Sequence, residues 1–381
     1  MLQERKKRRI VLASILKPVD DTRMFEKMGR SLASGGLYEV FILGYPSPSV
    51  PDIPSIHFLP SDPFPRLSIR RMVASWKAFL KIWKLNPSIL IFNTHELLIE
   101  AIVLKVCLGT RIVYDIRENY YRNIIHSGSF PLFVRVPLAL LVRFKEKFLA
   151  PTIDHFMLAE IEYESEFKFH RGGWTVVENK ALTPTLSRGE GGPPFRRVVR
   201  GESRGAIKLL FSGTLADSTG VFMAIEIAKQ LHRLDPEVRL KIIGRAALER
   251  VKQRIQHEIQ DFDFIMLVGG DNLVPHEEIL RAIEASDAGI ISYPRSPHTE
   301  NSHPTKLFEY LNAQLPIILE PHWPWVTRYE KHQPFILIDF SKPDYKALLQ
   351  QLRTGHFYIT APIDITWTSE EPKLLRLIAN L

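Results

Sequence analysis

The sequence predicts an α/β chain of two Rossmann-like domains, and three observations carry the prediction. Short β-rich apolar runs alternate with amphipathic stretches from end to end, the pattern of βαβ units and parallel sheets. The alternation comes in two runs, separated by a Pro-, Gly-, Ser- and Arg-rich break at 181–206. The length of 381 residues allows two domains of ordinary size.

In the first run the strands are expected at "RIVLASI" (9–15), "YEVFILG" (38–44), "ILIFNT" (89–94), "RIVYDI" (111–116) and "HFMLAE" (155–160). Each is a short β-branched or aromatic run. Helical patterns lie between them, such as "RMFEKMGRSLASGG" (23–36), which closes on glycines. The second run repeats the plan. "IKLLFSG" (207–213) precedes a helix at 219–234, and "VRLKIIG" (238–244) precedes one at 247–259. "DFIMLVG" (263–269), "EEILRAIEAS" (277–286), "AGIISY" (288–293), "HPTKLFEYLNAQLPIIL" (303–319) and "PFILIDF" (334–340) follow. The expected domains are therefore 1–180 and 207–364. Residues 181–206, which lack periodicity, read as a flexible insertion beside the linker. The last segment, 365–381, has a Ser/Thr-x-x-Glu start and reads as a helix that crosses back to the first domain.

Composition narrows the class. The chain is 45% hydrophobic and 24% charged, as in globular proteins. Its single cysteine, Cys107, excludes an internal disulfide or a Cys-based zinc site and fits a reducing compartment. Placed in "AIVLKVCLGT", it is expected to be a buried small hydrophobe. No secretory leader pattern is evident, and no run reaches the ~18 apolar residues of a membrane span; "PLFVRVPLALLV" (131–142) is broken by Arg135 and Pro137. A cytoplasmic protein is expected, possible also at the inner face of a membrane. Residues 1–180 hold 26 Lys and Arg against 18 Asp and Glu, so this half carries the whole net charge of +8. In 66–84, apolar residues at helical intervals alternate with Arg70, Arg71, Lys77, Lys81 and Lys84. Such a helix can lie on anionic lipid or pack on its own domain with a solvated lysine face. For the similar stretch 142–150, packing is the expectation. A sequence pI near 9.4 also admits nucleic-acid binding, but no stacking-aromatic motif accompanies it.

Parallel sheets place ligands beyond the carboxyl ends of their strands. Two such turns stand out. In "FSGTLADSTG" (211–220) two glycines bracket small hydroxyl residues before a helix, where backbone N–H groups can receive phosphate. In the 303–319 segment Ser302 can cap a helix and Pro304 suits its first turn. A diphosphate could then sit against Ser302–Lys306, including Thr305, while Glu309 accepts hydrogen bonds from a ribose diol. The plainer alternative is a Lys306–Glu309 surface pair. Asp261-Phe-Asp263 resembles a metal-binding Asp-x-Asp but falls between a helix and a strand, so it reads as a loop.

"HPTKLFEYLNAQLPII" resembles the donor-site signature of family 4 glycosyltransferases of the GT-B fold, a Pro-x-Lys-x-Phe-Glu-Tyr helix followed by Pro-Val/Ile-Ile. Further similar segments run in order: "DDTRMFEKMGRSLASGG" (20–36), "VYDIRENY" (113–120), "VVENKA" (176–181), "LLFSGTLADSTGV" (209–221), "EILRAIEASDAGIISY" (278–293) and "WTSEEPKLLRLI". The resemblance spans nearly the whole chain and implies two domains facing a cleft. It implies transfer of a sugar, with retention, from a nucleotide diphosphate sugar to a saccharide or lipid-linked acceptor. That activity would belong to polysaccharide biosynthesis at the cell envelope. The co-substrate would be a UDP- or GDP-sugar, with no cofactor, no metal and no nucleic acid.

Carried over, Glu309 would hold the ribose, Lys306 and the 302–306 backbone the diphosphate or sugar, and Gly213 and Thr214 would approach the phosphates. Arg245 is a further source of phosphate charge. His95, Arg117 and Glu118 are the acceptor-side catalytic candidates, and Asp21 and Arg23 would line the cleft. Asn301 stands where the family often has a second glutamate. Thr214 and Thr219 stand in place of a phosphate-binding Arg and Lys, and Arg117 in place of a histidine. These departures leave open a noncatalytic sugar-nucleotide binder. A sugar-nucleotide epimerase of the same fold is a further alternative.

Overall fold

A computed structural model describes the chain except residues 1–6, 48–49, 63, 65–69, 127–129, 170–172, 183–204, 247, 297–302 and 322. Most of the 181–206 insertion, the start of the 66–84 stretch, and Asn301 and Ser302 thus lie outside the described residues. Contacts divide the chain into two units, residues 1–182 with 367–381 and residues 183–366.

The first unit runs β1 (Arg8–Pro18), a helical turn Arg23–Gly29 that continues into α1 (Arg30–Ser34), β2 (Tyr38–Tyr45), β3 (Ile56–Pro60), α2 (Arg70–Leu85), β4 (Ile89–Phe92), α3 (Leu98–Leu108) and β5 (Arg111–Ile116). Then follow α4 (Tyr120–His126), α5 (Leu132–Leu149), β6 (His155–Leu158), α6 (Tyr163–Glu166) and β7 (Trp174–Val176). The strands form one parallel sheet in the order β3-β2-β1-β4-β5-β6-β7. β1 reads as a continuous apolar run because both of its faces are covered. Val11, Ala13 and Ile15 enter one apolar cluster, with Phe79 and Ile82 of α2 and Ala101 and Leu104 of α3. Ile10 and Leu12 enter the other, with Met24, Phe25 and Met28.

The second unit runs β8 (Ile207–Ser212), α7 (Val221–Leu234), β9 (Val238–Arg245), α8 (Glu249–Ile259), β10 (Ile265–Gly270), α9 (His276–Glu284) and β11 (Ala288–Ile291). α10 (Thr305–Asn312), β12 (Ile317–Leu319), α11 (Pro324–Tyr329), β13 (Phe335–Leu337) and α12 (Tyr345–Thr354) complete it. Its parallel sheet has the order β10-β9-β8-β11-β12-β13. Asp261 and Asp263 lie between α8 and β10, as expected of a loop.

The end of the chain returns to the first unit as α13 (Glu371–Ala379), whose Leu374, Leu377 and Ile378 fill the cluster under β1 and β2. Polar contacts fix the return. The Trp367 indole donates to Ser31 Oγ at 2.8 Å, and the fully buried Glu370 accepts from Lys180 at 2.6 Å and from the Glu178 backbone N–H at 2.9 Å.

Two expectations need correction. Cys107 is exposed, not buried. α3 buries Leu98, Ala101 and Leu104, and Cys107 lies roughly 120° round the helix from the middle of that stripe. The stretch 142–150 belongs to the longer α5, which packs inward through Ala139 and Val142 but shows solvent a largely apolar face where a lysine face was expected.

Candidate functional site

In both sheets the strand order reverses beside the first strand, at β1/β4 and at β8/β11. Loops leaving the carboxyl ends of strands at such a point part to opposite sides and leave room for a ligand. The candidate residues fall on these loops.

In the second unit, α10 follows β11 through the segment that ends at Pro304. Pro304 is the residue before the first turn rather than within it, and no described side chain caps the helix start. Of the first-turn N–H groups, that of Leu307 donates to the Pro304 carbonyl at 2.9 Å, while those of Thr305 and Lys306 precede any acceptor inside the helix. Lys306 and Glu309 are both buried, at 6% and 8% exposure, so the surface-pair alternative does not hold. The Lys306 ammonium stands 4.0 Å from the centre of the Phe211 ring and 5.3 Å from that of Tyr293. It has no hydrogen-bond partner among the described residues. Burial pushes its pKa down to about 7, against the opposing pull of Glu309. Gly213, with φ of +100°, sits beside it, and a Cβ there would lie 3.6 Å from Lys306 Cε.

Around this pair the packing is specific. Tyr310 shares a hydrogen bond with Ser212 at 2.8 Å, which ties α10 to the end of β8. The Tyr310 ring occupies the space a side chain at Gly289 would need, 2.4 Å from an added Cβ. Glu309 Oε1 is 2.9 Å from His276 Nε2, the first residue of α9. Gly220 has φ of +78°, and a Cβ there would collide with the Ser292 carbonyl at 1.7 Å, so only glycine lets the turn after β8 meet the end of β11. Thr219 staples that turn: its Oγ1 donates to the Thr214 carbonyl at 2.8 Å and accepts from the Ala216 N–H at 3.1 Å. Thr214 and Arg245 are exposed and Thr305 is half-buried.

In the first unit, the loops after β1 and β5 are locked by ion pairs. Arg117 donates to both oxygens of Asp21, at 2.8 and 3.2 Å. Burial would raise the Asp21 carboxyl, but Arg117, aided by Lys17, brings it down to about 2. Arg23 donates to both oxygens of Asp115, at 3.0 and 2.7 Å, and to the Val177 carbonyl at 2.8 Å. Glu118 accepts from Lys17 at 3.2 Å and from Asn123 at 3.0 Å. His95, after β4, stands apart from this lattice. Its Nδ1 faces Lys145 at 3.3 Å, its Nε2 lies 3.2 Å from Glu96, and its ring meets the edge of Tyr120. Burial, then Lys145 and Arg71, lower its pKa to about 2, so the imidazole is neutral.

The structure thus groups Gly213, Lys306 and Glu309 in one unit, and Asp21, Arg117 and Glu118 in the other. Arg23 serves a separate buried pair. Sequence reasoning did not single out His276, Tyr310, Asn123 or Tyr120. The pairing of His276 with Glu309, 33 positions apart, had no sequence signal.

No protein-family model matches the chain, and no curated protein matches it in sequence. Solved structures do match in three dimensions. A sucrose-phosphate synthase (tll1590) from Thermosynechococcus elongatus aligns with a TM-score of 0.69 at 13% identity, over 98% of this chain and 99% of that one. WaaG, a glycosyltransferase involved in lipopolysaccharide biosynthesis, aligns with a TM-score of 0.63 at 12% identity, over 96% and 94%. Anabaena Alr3699/HepE, in complex with UDP and glucose, aligns with a TM-score of 0.61 at 10% identity, over 99% and 100%. The chain has the GT-B fold of these glycosyltransferases. At such identities the likeness establishes architecture.

Proposed function

We propose that this protein is a glycosyltransferase of the retaining type that binds a nucleotide diphosphate sugar on its second unit. The observation that carries the reading is Lys306, a buried cation beside Gly213 with no hydrogen-bond partner among the described residues, one turn before a buried Glu309. An ammonium kept out of water, attracted by Glu309 but with no acceptor in contact, is costly unless an anion arrives. A diphosphate would supply that anion, with the α10 N–H groups as further donors. Glu309 would take the ribose hydroxyls, and His276 would hold its carboxylate in place until then. When the bond between the anomeric carbon and the diphosphate oxygen breaks, its electron pair moves to that oxygen. Lys306 would stabilise the charge as it grows. The complex of Alr3699/HepE with UDP and glucose supports a uridine donor over a guanosine one. The acceptor would be a saccharide, free or lipid-linked, engaged by the first unit through Glu118 and the loops around it.

A noncatalytic binder is the second reading, favoured by the first unit. Arg117 is paired with Asp21, and His95 is neutral and too weakly basic to carry a proton near pH 7. Two measurements separate the readings. UDP, GDP, ADP and their sugars should include at least one ligand that raises the melting temperature, and Glu309→Ala should remove that shift. Intact nucleotide affinity in Glu309→Ala would refute the donor-site assignment. Release of nucleoside diphosphate on adding a saccharide acceptor would then distinguish a transferase from a binder, and an epimer formed from donor alone would mark an epimerase.

A further inference from the structure

α2, α3 and α5 form a layer on one side of the first sheet, with α3 packed against both of the others. Each has its core-facing side filled: Ala78, Phe79 and Ile82 on α2, Ala101 and Leu104 on α3, Ala139 and Val142 on α5. An amphipathic helix of a globular protein is polar on its other side. These three are not. α5 exposes Phe133, Val136, Leu140, Leu141, Phe144 and Phe148, from 52% to 82%, at intervals that place them on one arc roughly opposite Ala139 and Val142. Phe144 and Phe148 stack on each other in solvent, 5.7 Å apart. α2 adds Trp76, Leu80 and Trp83, and α3 adds Val103 and the 78%-exposed Val106. A contiguous apolar surface of this kind marks an interaction site.

The charges identify what covers it. Lys77, Lys81 and Lys84 are exposed beside the Trp76–Leu80–Trp83 stripe, and Lys147 is exposed within the phenylalanine arc. None of the three helices exposes a carboxylate: α2 has none, Glu146 is buried and Glu100 is half-buried. A second copy docking through a two-fold axis would set the same lysines against one another with no carboxylate from these helices to answer them. Lys77 is paired with the exposed Asp62 at 2.5 Å, but a neutral apolar partner would bring no counter-charge to Lys84 and Lys147. An anionic lipid surface answers both features, since apolar side chains enter the acyl boundary, tryptophans favour the interface and lysines meet headgroup phosphates. None of the described helices is long and apolar enough to cross a membrane, so the contact is with one leaflet.

We propose that the α2–α3–α5 face docks the protein on an anionic lipid bilayer, with the exposed α5 stripe entering the leaflet and the α2 lysines on the headgroups. Chemistry at Lys306 has no part in this inference. The test is flotation with phosphatidylcholine vesicles, with and without phosphatidylglycerol, at low and high salt. The wild type should float with phosphatidylglycerol vesicles, bind pure phosphatidylcholine at least about tenfold more weakly, and be released by salt. Phe144→Ser with Phe148→Ser, and separately Lys77→Ala with Lys81→Ala and Lys84→Ala, should each weaken binding about tenfold or more. Because every altered side chain is exposed, ligand-free melting curves should match the wild type and certify folding. That control holds whether or not the donor-site reading does. A wild type that ignores phosphatidylglycerol vesicles, or variants that bind them as well as the wild type, would overturn the proposal. So would a wild-type dimer, seen by light scattering, that the phenylalanine variant makes monomeric; that result would assign the face to a second copy.

Discussion

In the first unit, Arg23 and Arg117 are each gripped by both oxygens of a carboxylate, and Lys17 answers Glu118. In the second, Lys306 is just as buried but meets only aromatic rings and a glycine, with Glu309 turned to His276. The same residue types, at equivalent strand ends, are thus used in opposite ways. A paired cation is spent on holding loops together. An unpaired one destabilises the empty fold and gains most when an anion binds. That difference is why Lys306 carries the functional reading, whereas Arg23 is read as a strut.

The largest effect should come from removing that cation. Lys306→Met keeps the apolar stem and deletes the charge. Nucleoside diphosphate affinity, read by calorimetry, should fall about 30- to 1,000-fold, the worth of roughly 2–4 kcal/mol of transition-state or anion stabilisation. Stability should move the other way. The folded-state pKa of about 7 lies below the unfolded value of 10.5, so the folded protein binds fewer protons between these limits. Stability from this group therefore rises with pH across that window, and at or below pH 7 the buried charge costs on the order of a few kcal/mol. Lys306→Met should melt several degrees higher at pH 7, with the gain shrinking toward pH 10. A variant that binds nucleotide normally would erase the contrast between the units.

Next in size is the buried strut. Arg23→Met leaves Asp115 as an uncompensated buried charge and should cost about 3–5 kcal/mol in urea unfolding of the first unit. Adding Asp115→Leu should recover most of it, as expected when a pair acts only structurally. Failure of the double variant to recover would mean that the pair does more than hold the loops.

A sharper form of the comparison is the pH dependence of binding. If an anion restores an ordinary ammonium pKa to Lys306, binding takes up a proton above pH 7, and the dissociation constant should rise up to about tenfold per pH unit there. Calorimetry in buffers of different ionisation enthalpy would show the proton directly. The Asp21–Arg117 pair should contribute nothing to that slope, because the Asp21 carboxyl, lowered from 3.8 to about 2, stays ionised. Its stabilising effect is complete above pH 4 and is lost only as pH falls through 2.

How much of this was legible beforehand follows from the range of each interaction. Strand and helix alternation is local, so both sheets could be read from runs such as 9–15 and 207–213, and the 303–319 segment announced α10 by its own residues. Partners distant in sequence were not readable: His276 meets Glu309 across 33 positions and Arg23 meets Asp115 across 92. Nor could periodicity say which face of α5 looks inward, because Ala139 and Val142 are as apolar as the residues opposite them. Cys107 failed for a related reason. Apolar neighbours predict burial only when they share its side of the helix, and Ile99, Val103 and Val106 are exposed with it.

The smallest expected change tests the residue whose role is least constrained. Glu118 is paired with Lys17, but both are about one-third exposed. Such a pair is screened by water and contributes roughly 0–1 kcal/mol. Glu118→Gln keeps the shape and the hydrogen bond from Asn123 while removing the charge. Melting should therefore shift by no more than about 2–4 °C. Because stability barely moves, activity becomes a clean readout. If Glu118 contacts the acceptor, transfer to saccharide should fall tenfold or more while nucleotide affinity in the second unit stays at the wild-type value. If transfer is unchanged, Glu118 joins Arg23 as scaffolding, and the charges of Lys17, Asp21, Arg117 and Glu118 would all be accounted for by one another.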